Sequence, residues 1–106
     1  MDRGKGSAHS PAWGWQERLI DDYYNHRWHR TLEPLCEWLR RWKDGELAHS
    51  EMESVLEDTH RQICEVRSLF GQRPDRLVLL IQALDREWFD GWVIDHTPPP
   101  DVLLMP

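Results

Sequence analysis

The chemistry most readily read from this sequence is metal chelation. Glu57-Asp58-Thr59-His60 is an E-x-x-H segment, and on a helix residues three apart share a face, so a carboxylate and an imidazole there can grip one cation. Glu53 and His49 stand one and two turns earlier, and Cys64 one turn later. At about 100° per residue, His49, Glu53, Glu57, His60 and Cys64 fall within a sector of about 80°. Glu53, Glu57 and His60 are the candidate metal ligands. Their sector is centred roughly 100° from the apolar line through Met52, Leu56 and Ile63, so it borders a core and does not point into one.

In this respect the segment resembles the metal-binding helices of ferritin-like di-iron bundles. The resemblance covers these four residues and implies an iron site, with a second chain supplying another E-x-x-H; zinc is the other cation such a set could hold. The first helix offers no glutamate on its inward face, because Glu33 and Glu37 flank the apolar line. The competing reading is an ordinary solvated face with no cofactor.

His26 and His29 are three apart and could bind an ion or sense protons, since histidine charges near pH 6.5; otherwise they border an aromatic surface. Cys36, Cys64, Ser50, Ser54 and Ser68 are the available nucleophiles, and none sits in a glycine-rich elbow that would expose it. Gly4 and Gly6 do not form a phosphate-cradling loop. Catalysis is not expected.

Seven tryptophans in 106 residues are the strongest departure in composition. An indole has a large apolar body and one N–H, which suits places where an apolar edge meets a polar one. Trp15, Trp28, Trp38, Trp88 and Trp92, with Leu19 and Tyr23, are the expected interface residues. Trp38 lies about 80° off the line of its helix, with Arg41 one turn on, and so faces sideways.

The net charge of −6, without a basic cluster, argues against nucleic acid as a ligand. Arginine outnumbers lysine 11 to 2, which codon usage explains as well as ion-pair networks do. No stretch reads as a signal peptide or membrane span, so a cytoplasmic address is expected. Cys36 and Cys64, 28 residues apart, match no metal-finger spacing and read as free thiols.

Helices must position these groups. A first helical pattern runs from Trp15 to Trp42, with Trp28, Leu32, Leu35, Leu39 and Trp42 spaced 4, 3, 4, 3. Pro34 lies inside it, so a kink or break is predicted at residues 30–34, with Thr31 capping the continuation. Before that break, Trp15, Leu19, Tyr23 and His26 form one stripe and Ile20, Tyr24 and Trp28 a second. Gly45 suits a left-handed helix end. A second helix starts at Ser50 as a Ser50/Glu53 capping box, or two residues earlier if Leu47 and Met52 form a hydrophobic staple. It carries Met52, Leu56, Thr59, Ile63, Val66 and Phe70 in one line and closes at Gly71. Pro74 opens a third helix, apolar all round at Leu77 to Ile81, that ends at Gly91 or near Ile94. Pro98-Pro99-Pro100 stops it. The tail from Asp101 is a docking strap, a recognition motif or a frayed end.

The fold class is therefore all-α: an antiparallel hairpin plus a third helix, completing a bundle by dimerisation. Residues 1–12 form a leader, 13–96 a helical domain and 97–106 a Pro-rich tail. The expected function is non-catalytic interaction, as a homodimer that also meets a protein partner through tryptophan-rich surfaces or the tail, with no nucleic acid and no membrane. Stripes wider than one bundle needs place self-association on the first and third helices, so Leu19→Glu or Tyr23→Glu should give a monomer and Glu57→Gln should not.

Overall fold

The computed structural model describes residues 11–105; the leader Met1–Ser10 and Pro106 lie outside the described residues. Among the described residues the chain is all-helical, with four helices: α1 Pro11–Lys43, α2 His49–Leu69, α3 Pro74–Leu84 and α4 Arg86–Asp95. Among the described residues there is no strand.

The predicted break at residues 30–34 does not occur, because α1 runs through Pro34 uninterrupted. Proline at this position deprives the Arg30 carbonyl of its helical donor, at a cost of ~3 kcal/mol in a dry interior. Here Arg30 and Pro34 are both exposed, so water can take the freed carbonyl. Thr31 does not cap a new helix but is buried. The end of α1 follows expectation. Gly45 adopts φ 80°, its N–H bonds the Trp42 carbonyl at 3.1 Å, and the Glu46 N–H bonds that of Arg41 at 2.8 Å. This pair of bonds is the Schellman closure, which a side chain at the left-handed position would disfavour.

The earlier of the two starts for α2 is the one used. Its N-cap is Ala48, whose N–H donates to the Glu51 carboxylate at 2.9 Å. Alanine has no oxygen to return the bond, so only half of a capping box exists. Leu47 and Met52, which flank this start at the staple positions, are both buried.

The third helix is two helices. Asp85, at φ −141° and ψ 60°, ends α3 with its N–H on the Ile81 carbonyl at 2.9 Å, and its own carbonyl accepts the Phe89 N–H at 3.0 Å as α4 begins. Its carboxylate accepts the Tyr23 hydroxyl at 3.3 Å. Aspartate readily leaves helical conformation for such bonds. Gly91 lies inside α4 and does not terminate it.

The chain divides into two compact units, and α1 contributes to both. In the unit made of residues up to 23 and from 72 onward, the core is Trp15, Leu19, Tyr23, Leu77, Val78, Ile81 and Phe89, with the polar Gln82. The unit spanning residues 24–71 joins the second half of α1 to α2. Tyr24 meets Phe70 edge-on at 4.9 Å, and Trp42 meets His49 at 5.9 Å. These contacts pair the start of one segment with the end of the other, so the two helices run in opposite directions. This unit buries only Thr31, Leu47, Met52, Thr59 and Val66.

Candidate functional site

The aromatic residues expected at an interface serve first as each other's partners. Trp15 packs on Phe89 at 6.4 Å and on Trp92 at 5.3 Å, and Tyr23 lies 4.9 Å from Trp88. Along α4, Trp88, Trp92 and His96 recur every fourth residue and stack, with centroids 6.3 Å and then 4.0 Å apart. The indole N–H groups find acceptors: Trp15 donates to the His96 carbonyl and Trp92 to the Asp22 carboxylate, each at 2.8 Å. Leu19 and Tyr23 have no exposed surface and Trp15 has 8%. In the protomer these three are core residues. The excess apolar width of α1 is real, but the break at Asp85 gives two short helices that cover it from within the same unit.

The tail is a docked strap. The Gln82 side chain, 3% exposed, donates from Nε2 to the Met105 carbonyl at 3.0 Å, and its Oε1 accepts the Met105 N–H at 2.9 Å. Val102 and Leu104 are half-buried while Leu103 and Met105 are exposed, the alternation of an extended segment on a surface.

In the unit 24–71 the apolar residues are not all covered. Leu39 is 41% exposed, Trp42 38% and Leu56 48%. On α1, Leu32 and Leu39 lie about 20° apart and roughly 90° round from the buried Thr31. On α2, Leu56 and Ile63 lie about 20° apart and roughly 50° round from the buried Thr59, in the same sequence sense. Both helices are right-handed and they run oppositely, so both sets turn toward one flank of the hairpin. The opposite flank holds a cavity of about 150 Å³ walled by Thr31, Pro34, Leu35, Trp38, Val55, Asp58, Thr59 and Gln62.

Trp28, at the head of the apolar flank, has its Nε1 enclosed and without an acceptor. It borders a depression of about 240 Å³ lined by Asn25, His29, Leu32, Glu33 and Cys36. An enclosed N–H left unbonded costs about 1–3 kcal/mol. Trp38 is half-buried and walls the cavity on the opposite flank, about 20° round α1 from the buried Thr31, with the Arg41 guanidinium 4.9 Å over its ring. Arg40 forks onto Glu37 at 2.6 and 3.2 Å, which holds the Glu37 carboxyl below its usual range. At this position the arginine excess does build a bidentate pair, though an exposed one contributes little.

The candidate metal ligands Glu53, Glu57 and His60 are all exposed on α2. Among the described residues, no three His, Cys, Asp or Glu side chains come together as a metal-holding group. His29 has a neighbour that sequence reasoning did not identify, the Glu33 carboxylate at 4.0 Å; His26 is half-buried. Both cysteines are free and exposed. No helix among the described residues is long and apolar enough to cross a membrane.

Sequence reasoning missed Asp22, Asp85, Gln82 and His96 as the groups that satisfy the core's polar atoms. Their signal was indirect: buried indoles, a buried phenol and a tail all demand acceptors, and these residues are the polar ones within reach. The chain matches no family model, no curated protein and no solved structure.

Proposed function

We propose that this chain is a non-catalytic helical interaction protein that pairs with a second copy of itself through the flank of Leu32, Leu39, Leu56 and Ile63. Two such hairpins, laid flank to flank, complete a four-helix bundle. The observation that carries this reading is the exposure of Leu39 and Leu56, 41% and 48%, at positions of a regular apolar line. The burial budget of the unit supports it: residues 24–71 bury five side chains, two of them threonines, and a unit of that size gains a sufficient core most readily from a partner.

The test is sedimentation of the full chain. The wild type is expected to be dimeric at tens of micromolar, and the Leu39→Glu/Leu56→Glu chain to be monomeric with unchanged helix content, because both positions are solvent-facing in the protomer. A wild-type chain that sediments as a compact monomer at that concentration overturns the proposal.

A further inference from the structure

We infer that His60 and Cys64 form half of a zinc-binding site, completed by the same two residues of a second copy. The pair stands one turn apart on the exposed face of α2, with His60 Nε2 and Cys64 Sγ 3.6 Å apart. Zinc binds sulfur at about 2.3 Å and imidazole nitrogen at about 2.0–2.1 Å, in tetrahedral geometry. Those lengths and that angle put a sulfur and a nitrogen on one zinc about 3.5–3.6 Å apart. The two side chains therefore already hold the separation that zinc requires, before any metal is bound. Neither is taken up by the core, since both residues are exposed.

One chain supplies only two ligands, because no third His, Cys, Asp or Glu joins them among the described residues. Tetrahedral structural zinc sites take four protein ligands, and Cys₂His₂ is one of the usual sets. A second α2, antiparallel and related by a two-fold axis between residues 60 and 64, supplies the missing pair. The charges agree with that register. Glu57 precedes His60 by three residues and Arg67 follows Cys64 by three, so each Glu57 comes level with the other copy's Arg67, and an acid meets a base on both sides of the site.

On binding, each Cys64 S–H bond breaks and a Zn–S bond forms, and the proton passes to solvent. His60 binds through the lone pair of Nε2, with its proton on Nδ1. Two thiols and one Zn²⁺ thus give a neutral centre and two released protons, with no change of oxidation state. The ligand set is distinct from the E-x-x-H set: Cys64 is essential and Glu53 and Glu57 are not ligands. The site does not depend on the apolar flank pairing unaided.

Titrating the reduced full chain with Co(II) under argon, followed by visible absorption and sedimentation, tests this. The expected result is saturation at one Co(II) per two chains, with the intense visible bands and thiolate charge-transfer band of a tetrahedral sulfur–nitrogen site, and a dimer that excess Zn(II) keeps while bleaching the bands. Cys64→Ser and His60→Gln should each abolish the spectrum, while Cys36→Ser should retain it. Co(II) should also dimerise the Leu39→Glu/Leu56→Glu chain, which separates this site from the apolar pairing. Saturation at one metal per chain without a change of mass, a spectrum without the thiolate band, or loss of binding in Cys36→Ser in place of Cys64→Ser overturns it.

Discussion

Leu19→Glu is expected to abolish cooperative folding of the unit around Trp15, Leu19 and Tyr23, and not to release a folded monomer. Leu19 has no exposed surface. Truncation to alanine at such a site costs about 2–5 kcal/mol through lost burial and the cavity left behind. Glutamate adds the cost of an unpaired carboxylate in an apolar interior, against a total stability on the order of 5–15 kcal/mol for a domain of this size. Near-ultraviolet circular dichroism reports this directly, because Trp15, Trp88 and Trp92 pack in the same unit. Loss of their signal together with the sigmoidal thermal transition is the expected outcome; a native tryptophan spectrum in Leu19→Glu would refute the core assignment. Tyr23→Phe should be far milder, about 1 kcal/mol, since it keeps the ring on Trp88 and removes the hydroxyl that bonds Asp85.

Gln82→Ala is expected to free the strap. Two hydrogen bonds at 2.9 and 3.0 Å tie the Gln82 amide to both polar groups of one backbone residue, Met105. Removing the amide forfeits both bonds and leaves a cavity at a 3% exposed position, for a combined loss of about 3 kcal/mol. Gln82→Leu separates the two terms: it fills most of the space but makes neither bond, and about 1–2 kcal/mol of the loss should remain. Limited proteolysis between Thr97 and Met105, followed by mass spectrometry, is the direct readout. Cleavage should accelerate in both variants while the helical body stays intact. Equal cleavage rates in Gln82→Leu and wild type would mean that the strap is held by its apolar side chains alone.

What could be read in the sequence was decided close to the residue concerned. Gly45 stands where a helix must reverse and takes the one backbone conformation that favours glycine. Leu47 and Met52 bracket the start of α2, and the choice between two starts follows from their burial. The stripe of Trp15, Leu19 and Tyr23 was equally legible as apolar, but periodicity reports that a face must be covered and not what covers it. The covering elements arise from Asp85, where an unbroken apolar pattern gives no sign of a break, and whose carboxylate meets a tyrosine 62 residues away. Pro34 errs in the opposite sense: a strong local signal loses to a helix in which Arg30 and Pro34 are both exposed. Gln82 reads as a polar residue misplaced in an apolar run, and its partner is backbone, which carries no sequence signature. In the candidate site, the sector containing His60 and Cys64 was legible from helical spacing alone, whereas the exposure of Leu39 and Leu56 required the assembled hairpin.

The two units also differ in how far along the chain their partners lie, and this sets an order of events. The hairpin closes locally, with Trp42 bonding His49 seven residues on. In the other unit, Trp15 waits for His96, 81 residues away, and Trp92 for Asp22, 70 residues away. Closing long loops costs more chain entropy and slows the step that depends on them. Helices as short as α3, with 11 residues, and α4, with 10, are marginal alone. They therefore consolidate only on an α1 that already exists. In stopped-flow refolding, destabilising changes at Met52 should slow folding, whereas those at Phe89 should chiefly accelerate unfolding. The long first helix would then be the template of its own protein, formed early at its hairpin end and completed late at the other.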